Sequence, residues 1–239
     1  MLTSTTTSTT TPTGATSLIA ADMQEVDAVI RRRLASDVAL VNQISEYIIG
    51  AGGKRVRPML VILFSRALGF NGPEQHELAA TVEFIHTATL LHDDVVDESS
   101  LRRGRQTANA LFGNAASVLV GDFVYSRAFQ MMVSVNRMRV LEVLADATNV
   151  IAEGEVLQLM NMHDPDIAVS EYLRVIRFKT AKLFEASARL GAVLADSGRD
   201  VEEACAAYGR SLGTAFQLVD DLLDYEGSTA QLGKNVGDD

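Results

Sequence analysis

The sequence is poor in the residues that mark several common protein classes. It has no tryptophan, one cysteine (Cys205) and four prolines in 239 residues. A single cysteine excludes an internal disulfide framework and fits a reducing compartment, so we expect a cytoplasmic protein. Few prolines permit long uninterrupted helices, whereas a turn-rich β architecture would use more of them. No apolar run reaches the roughly 18 residues that a membrane-spanning helix needs, so we expect no transmembrane segment.

Positive charge is also scarce. The chain carries 21 Lys and Arg against 31 Asp and Glu, which gives a formal net charge of -10. A nucleic-acid-binding protein needs a basic surface that replaces counterions, so this balance disfavours nucleic acid as a partner. Hydrophobic residues make up 47% of the chain and charged residues 22%. Those fractions are typical of a globular protein with a sizeable core.

Residues 1–17 are almost all Ser and Thr, and this composition predicts a disordered tail because it offers little apolar surface to bury. From Leu18 onward, apolar residues recur at helical spacing almost everywhere. The pattern predicts helices over residues 18–50, 58–69, 73–96, 114–133, 138–162, 169–196 and 200–226. No alternating strand pattern with turn signals is present, so we predict an all-α, single-domain helical bundle over residues 18–239.

One short motif occurs twice: Asp-Asp-x-x-Asp with aliphatic residues at x, at residues 93–97 and 220–224. With 17 aspartates in the chain, composition alone would give about 0.09 copies. The first and last aspartate of each motif share a helix face. Apolar residues precede both motifs and no Lys or Arg lies inside them, so a solvated acidic face explains them poorly. Oxygen-only ligands select a hard cation, and we therefore predict Mg²⁺ that bridges the motifs to a phosphorylated ligand.

Two cationic clusters stand out in this acidic chain. GGKRVRP at residues 52–58 is a glycine break followed by three cations just before a predicted helix, and RRGR at residues 102–105 follows the first acidic motif. Guanidinium and ammonium groups bind phosphate oxygens. Each cluster alone is typical of a solvated surface, but beside two acidic motifs we favour phosphate binding.

Together these motifs resemble the trans-isoprenyl diphosphate synthase (polyprenyl synthetase) family, over essentially residues 40–239. The segments that carry the resemblance are GGKRVRP at 52–58, FIHTATLLHDDVVDESSLRRG at 84–104, LVGDFVYSRAF at 119–129, EGEVLQL at 153–159, FKTAKLF at 178–184, FQLVDDLLDY at 216–225 and GKNVGDD at 233–239. The sequence looks most like the long-chain branch, the octaprenyl- or decaprenyl-type synthases. The resemblance implies an isoprenoid-synthase-type bundle around a central cavity, a homodimer with its interface between about residues 110 and 160, and a role in quinone side-chain biosynthesis.

The resemblance also implies a reaction and a role for individual residues. An allylic diphosphate of the farnesyl or geranyl type ionises, C4 of isopentenyl diphosphate attacks the carbocation in a 1'-4 condensation, and the departing diphosphate is the expected base for the released proton. The residues implied in holding about three Mg²⁺ on the allylic diphosphate are Asp93, Asp94, Asp97, Asp220, Asp221 and Asp224, with Asp93, Asp97 and Asp220 as metal ligands. The residues implied in contacting the allylic diphosphate are Arg102, Lys179 and Lys234, with Thr180 and Gln217 nearby. The residues implied in holding isopentenyl diphosphate are Lys54, Arg57, His86 and Arg103.

Several of these side chains also have an ordinary structural interpretation. His86 and His92 lie on one predicted helix and are typical of core histidines. Gln217 is typical of a contact with a neighbouring helix, and Lys179 of a charged surface. For these residues, only the motif match favours a functional role.

The helix before the first acidic motif carries a prediction about product length. Thr89, Ala88, Ile85 and Val82 lie one to three turns before Asp93, on or near its face, so we expect them to line a pocket beneath the metals. A helical turn advances about 5.4 Å, which is comparable to an extended isoprene unit. In short-chain relatives, bulky aromatic residues four or five positions before the first aspartate close this tunnel. Small residues here predict an open tunnel and a product of about C40–C50, with close helix packing as the alternative explanation.

Three other functions fit parts of the pattern. A terpene cyclase ionises a similar substrate, but it normally replaces the second acidic motif and lacks GGKRVRP. A metal phosphohydrolase of the His-Asp type would use His86, His92 and Asp93, but it leaves the second motif unexplained. An inactive regulatory subunit of a heteromeric synthase commonly loses the acidic motifs, which this chain retains. Family members usually continue beyond GKNVGDD, so we also expect the C-terminal helices of the bundle to be missing from this sequence.

Overall fold

The computed structural model describes residues 14–162 and 166–226, and these residues form a helical bundle. The helices are α1 (Ala15–Leu18), α2 (Ala20–Leu34), α3 (Ala39–Gly50), α4 (Val56–Ala67), α5 (Glu74–Val96), α6 (Ala108–Phe112), α7 (Asn114–Ser134), α8 (Met138–Asn161), α9 (Val169–Ile176), α10 (Lys182–Leu194) and α11 (Arg199–Glu226). A π-helical segment, Arg177–Ala181, joins α9 to α10. A small antiparallel hairpin, β1 (Leu101–Arg102) and β2 (Arg105–Gln106), joins α5 to α6. The predicted all-α bundle is confirmed.

The prediction of one helix over residues 18–50 is wrong, because residues 35–38 separate α2 from α3. Asn42 explains the break. Its side-chain amide donates to the Ser36 carbonyl oxygen (2.7 Å), and its Oδ1 accepts from the Ser36 N–H (3.0 Å). The Ser36 hydroxyl accepts a further hydrogen bond from the Val38 N–H (3.2 Å). These side-chain bonds satisfy backbone groups that a continuous helix would have used.

Both ends of the chain extend beyond the described residues. Residues 15–17 of the predicted tail belong to α1, whereas residues 1–13 lie outside the described residues. Residues 227–239 lie outside them as well, so the expected loss of C-terminal helices stays a prediction. Between the ends, the hairpin and α6 have no signal in the sequence pattern, because two-residue strands are too short to show alternation.

The core surrounds α5, whose buried side chains point in several directions. Leu78, Val82, Phe84, Ile85 and Leu91 all have at most 2% of their surface exposed. A helix with apolar residues around most of its circumference is stable only inside a protein, and α2, α4, α7 and α10 pack around it. This central position fixes the C-terminal end of α5, which carries the first acidic motif. Among the described residues, no helix is long and apolar enough to cross a lipid bilayer.

Candidate active site

The first acidic motif occupies the C-terminal end of α5 and the residue that follows it. Asp93 and Asp97 are half-buried and one turn apart, and Asp94 is buried. The Asn109 side-chain amide, from α6, donates to the carbonyl oxygens of Asp94 (2.9 Å) and Ser99 (3.1 Å). Asn109 therefore satisfies backbone groups beyond the helix end and fixes the motif relative to α6.

The hairpin after α5 places two arginines beside this motif. Its turn residues Arg103 and Gly104 have φ values of 54° and 73°, as a two-residue turn between strands requires. Arg102 Nε and Nη2 each lie 2.7 Å from Asp94 Oδ1. Burial raises the pKa of Asp94, and the Arg102 charge opposes that rise. The pair therefore holds Arg102 at the edge of the first acidic motif.

The second acidic motif lies in the last turns of α11. Asp220 and Asp221 are half-buried, and Asp224 is buried. Asp221 accepts hydrogen bonds from Gln217 Nε2 (2.7 Å) and from the hydroxyl of Tyr172 on α9. Burial raises the pKa of Tyr172 to about 12 and the hydrogen bond to Asp221 adds to the rise, so the hydroxyl remains a donor at neutral pH.

The π-helical segment contacts both motifs. Lys179 Nζ lies 3.4 Å from Asp93 Oδ2 in the first motif. The hydroxyl of the next residue, Thr180, donates to Gln217 Oε1 (2.9 Å), and Gln217 in turn holds Asp221. Two consecutive residues thus join the end of α5 to the end of α11. Such π-helical insertions are frequent at functional sites.

Two glycines make room for this segment between neighbouring helices. A Cβ atom at Gly154 of α8 would lie 2.7 Å from the backbone nitrogen of Lys179. A Cβ atom at Gly213 of α11 would lie 2.7 Å from the Cα of Ala181. Any larger residue at either position would therefore push the π-helical segment away from its neighbour.

Lys54 and Arg57 rest on a pair of aromatic rings, Phe184 and Phe216, whose centroids are 5.3 Å apart. The Arg57 guanidinium lies 4.5 Å from the Phe184 centroid, and Lys54 Nζ lies 5.5 Å from the Phe216 centroid. Burial lowers the pKa of Arg57 to about 10, with the Glu83 charge opposing, so the side chain is still charged at neutral pH. Cation–π contacts orient these cations without neutralising them, which leaves both able to bind an anion.

His86 lies two turns before the first acidic motif on α5 and is surrounded by arginines. Burial lowers the pKa of His86 well below 6.5, and the charges of Arg57 and Arg103 lower it further. The imidazole is therefore neutral at pH 7. The Arg103 guanidinium packs over Gly53, where a Cβ atom would lie 3.0 Å from its nitrogens. The structure thus brings together the cationic residues that the resemblance assigns to isopentenyl diphosphate.

The residues predicted to line a product tunnel differ in exposure. Val82, Ile85 and Ala88 are fully buried in the core. Thr89 is half-buried, and its hydroxyl donates to the His86 carbonyl oxygen (2.9 Å). Of these four residues, Thr89 is the one that is partly exposed, and it lies one turn before the first motif. The tunnel itself stays a prediction.

One predicted residue is outside the described part of the chain, and one histidine of the first motif's helix lies away from this arrangement. Lys234, in GKNVGDD, is outside the described residues, so its implied diphosphate contact stays a prediction. His92 faces α7, with its Nε2 3.2 Å from the Val118 carbonyl oxygen and 3.4 Å from Asp122 Oδ1. The structural interpretation therefore describes His92, a bridge between two helices, better than a catalytic one does.

Two side chains of the site were not identified from local sequence. Glu155 of α8 lies 2.8 Å from Lys179 Nζ, and Tyr172 of α9 reaches Asp221. Burial alone would lower the pKa of Lys179, but the charges of Asp93 and Glu155 outweigh burial and raise it. Each contact joins elements far apart along the chain, so helical spacing cannot predict it. The one available signal for Glu155 is its place in the segment EGEVLQL.

The donor set of the two motifs fits a hard divalent cation. All six side chains are carboxylates, which offer the oxygen ligands that Mg²⁺ prefers. Asp93 already faces the Lys179 ammonium, and burial together with the Asp93 charge raises the pKa of Glu155 above its usual value. This indicates surplus negative charge that a cation would relieve. In the described part of the chain, no three acidic, His or Cys side chains are close enough to hold a metal by themselves, so substrate oxygens and water would complete its coordination.

A helical bundle with paired aspartate motifs and adjacent cationic clusters is typical of the isoprenoid-synthase fold, and solved structures with this fold match the chain. The polyprenyl synthase from Caulobacter crescentus CB15, solved as a complex with calcium and isoprenyl diphosphate, matches with a TM-score of 0.92 and 52% identity, over 94% of this chain and 69% of that chain. A decaprenyl diphosphate synthase from Rhodobacter capsulatus matches with a TM-score of 0.87 and 52% identity, over 94% of this chain and 70% of that chain.

The chain belongs to the polyprenyl synthetase family, whose model matches residues 38–239. Octaprenyl diphosphate synthase from Escherichia coli (strain K12) is 61% identical over 222 residues, which is 93% of this chain and 69% of that protein. The resemblance to this family is confirmed, as is the similarity to its octaprenyl- and decaprenyl-type members.

Proposed function

We propose that the chain is a chain-elongating prenyltransferase that condenses isopentenyl diphosphate with an allylic diphosphate, in 1'-4 linkage, to make a long all-trans polyprenyl diphosphate. The observation that carries the proposal is the presence of two cationic clusters with different surroundings, each suited to an anion. One combines carboxylates with Lys179 and Arg102, and the other combines Arg57 and Arg103 with a neutral His86. Two sites of different chemistry suit two diphosphate substrates, one held through a metal and one held by cations alone.

The family supports the substrate class and the product length. The relatives include octaprenyl and decaprenyl diphosphate synthases, together with an all-trans-nonaprenyl-diphosphate synthase from Rhodobacter capsulatus that is 46% identical over 222 residues. These names favour a product of eight to ten isoprene units, C40–C50, and a role in supplying quinone side chains. Ile85, Ala88 and Thr89 are the proposed determinants of that length.

The first anion site suits ionisation of the allylic substrate. When bound, about three Mg²⁺ would stabilise the charge that develops on the departing diphosphate. Asp93, Asp97 and Asp220 are the proposed ligands, with the other motif carboxylates, Asp94, Asp221 and Asp224, beside them. Lys179 and Arg102 would supply fixed positive charge for the same diphosphate oxygens, which lowers the cost of separating charge in the transition state.

Neutral polar groups lie beside these cations. The Thr180 hydroxyl donates to Gln217 Oε1 (2.9 Å), and neither group carries a charge. A neutral hydroxyl or amide is a weak nucleophile unless a base activates it. They can stabilise the allylic carbocation without capturing it. The departing diphosphate is the proposed base for the proton that must be lost, so the mechanism does not require a dedicated base from the chain.

The second anion site suits isopentenyl diphosphate. Lys54 and Arg57 are oriented by aromatic rings, and Arg103 is held against Gly53. His86 is neutral, so it contributes hydrogen bonding without another charge. Ground-state binding of this substrate then depends on these cations and the neutral His86, separate from the carboxylates proposed to bind the metal.

The proposal includes a homodimer and a cytoplasmic location. Exposed apolar side chains on α7, Leu119, Phe129 and Val133, support an interface on this helix. The single cysteine supports a reducing compartment.

The test is release of inorganic pyrophosphate from farnesyl diphosphate and Mg²⁺, with and without isopentenyl diphosphate. We expect release only when both substrates are present, and a loss of about 100-fold or more in Asp93→Asn and Asp220→Asn. Asp196→Asn is the control, because Asp196 is 81% exposed in the link between α10 and α11. Release from farnesyl diphosphate alone would favour a terpene cyclase, and no release from the folded full-length protein would favour a regulatory subunit.

A further inference from the structure

Glu155 of α8 is an acidic residue at the active site that belongs to neither acidic motif. Its Oε2 lies 2.8 Å from Lys179 Nζ, and the same Nζ lies 3.4 Å from Asp93 Oδ2. The side chains of Glu155, Lys179 and Asp93 are only 30%, 21% and 14% exposed. One partly buried ammonium therefore bridges carboxylates from α8 and α5.

The surroundings of Glu155 disfavour its ionised form. Burial raises the pKa of Glu155, the Asp93 charge raises it further, and Lys179 opposes the rise. The ion pair with Lys179 stabilises the ionised carboxylate of Glu155 against these two effects. The backbone places the two residues together, because Gly154, next to Glu155, lies against the Lys179 amide.

The contact between Glu155 and Lys179 affects how closely the ammonium approaches Asp93. The ammonium is closer to Glu155 (2.8 Å) than to Asp93 (3.4 Å), so Glu155 draws it towards α8. Without the Glu155 charge, Coulomb attraction would draw the ammonium towards the first acidic motif, onto Asp93 with Asp97 next to it. An ammonium seated there would compete with a divalent cation for the Asp93 oxygen.

We propose that Glu155 is a positioning residue that anchors the Lys179 ammonium on the α8 side of the site, keeps Asp93 available to a divalent cation and directs Lys179 towards the substrate diphosphate. This inference rests on the proposed function, because it places a diphosphate and a divalent cation together at Asp93. Glu155 acts through Lys179 and not by touching the reacting atoms.

Calorimetric binding of inorganic pyrophosphate in the presence of Mg²⁺ tests the inference without turnover. We expect Glu155→Gln, which keeps the shape and removes the charge, to weaken this binding about tenfold, or 1.4 kcal/mol. In a Lys179→Met background the same change should weaken binding less than about twofold, because the partner it positions is gone. In kinetics, Glu155→Gln should raise the Mg²⁺ concentration for half-maximal rate and leave the KM for isopentenyl diphosphate unchanged.

Glu153→Gln is the matched control, since Glu153 lies on the same helix, is exposed and contacts Asn149 (2.9 Å). It should bind pyrophosphate like the wild type, and thermal unfolding should show that all variants are folded. Wild-type binding by Glu155→Gln, or effects of Glu155→Gln and Lys179→Met that simply add, would overturn the inference while the proposed function stands. A wild-type protein that binds no pyrophosphate with Mg²⁺ would overturn the proposed function and the inference with it.

Discussion

Gly154 of α8 lies directly against the backbone of Lys179, and a Cβ atom at Gly154 would be 2.7 Å from the Lys179 amide nitrogen. Gly154→Ala should therefore displace the π-helical segment, which carries Lys179 and Thr180. We expect the free energy of unfolding to fall by about 1–3 kcal/mol, as for other overpacked interiors. We also expect kcat to fall, because both side chains move with the segment. Urea unfolding and steady-state kinetics measure the two effects.

Gly50→Ala is the matched control for this substitution. Nothing lies within 4 Å of a Cβ atom at Gly50, and alanine is favoured over glycine in a helix. Its kcat should match the wild type and its stability should be equal or higher. If Gly154→Ala behaves in the same way, close packing of the π-helical segment on α8 is not needed for activity.

The ring of Phe216 beneath Lys54 should affect the binding of isopentenyl diphosphate and not that of the allylic diphosphate. Phe216→Leu removes the cation–π contact at 5.5 Å, which orients the ammonium in the proposed isopentenyl diphosphate site. We expect the KM for isopentenyl diphosphate to rise about two- to fivefold, with little change in the KM for the allylic diphosphate. Phe123→Leu is the control, because Phe123 makes the same kind of contact with Arg127 (5.0 Å) on α7. An equal rise in both KM values would contradict the assignment of Lys54.

The position of Thr89 predicts a change in product length. A phenylalanine one turn before Asp93 should obstruct the proposed tunnel, so Thr89→Phe should shift the product to shorter chains, which chromatography of the dephosphorylated products can measure. Thr87→Phe is the comparison variant on the same helix, two residues away, because Thr87 borders a cavity that Ile48, Leu90 and Arg102 line. A product distribution unchanged in Thr89→Phe, or shortened equally in both variants, would exclude a tunnel at this face of α5.

The neutral His86 predicts a pH dependence of stability. Its folded-state pKa lies below the unfolded value, so the unfolded chain binds a proton first as the pH falls. Stability from this group is fully present above about pH 6.5 and is lost as the pH falls below that value. Between about pH 7 and pH 5.5, the free energy of unfolding of the wild type should fall by about 1 kcal/mol more than that of His86→Gln. Parallel curves for the two proteins would show that His86 protonates equally in both states.

The parts of the site that the sequence predicts are those encoded within a helical turn. Asp93 and Asp97 share a face because they are four residues apart, and the same spacing relates Asp220 to Asp224. The contacts that join the two motifs are not encoded in this way. Lys179 reaches Asp93 across more than eighty residues of chain, and only the packing of α5, α8 and α11 brings the partners together.

The errors in the predicted fold have a related cause. The break between α2 and α3 depends on the Asn42 side chain folding back on Ser36, which apolar periodicity does not register. The π-helical segment, Arg177–Ala181, interrupts the helix that the sequence predicts over residues 169–196. The segment itself contains no proline or glycine that would mark the interruption. Its partners Gly154 and Gly213 lie on other helices, so the signal for the insertion is tertiary.

The most direct test of the central claim is incorporation of radiolabelled isopentenyl diphosphate by the full-length protein, with farnesyl diphosphate as primer and Mg²⁺ present. The proposed function predicts a ladder of labelled products ending near C40–C50, the range of the octaprenyl and decaprenyl relatives, and its disappearance when EDTA removes the metal. No incorporation by the folded protein would contradict chain elongation. Incorporation that stops after a single addition would contradict the long-chain product and the open tunnel before Asp93.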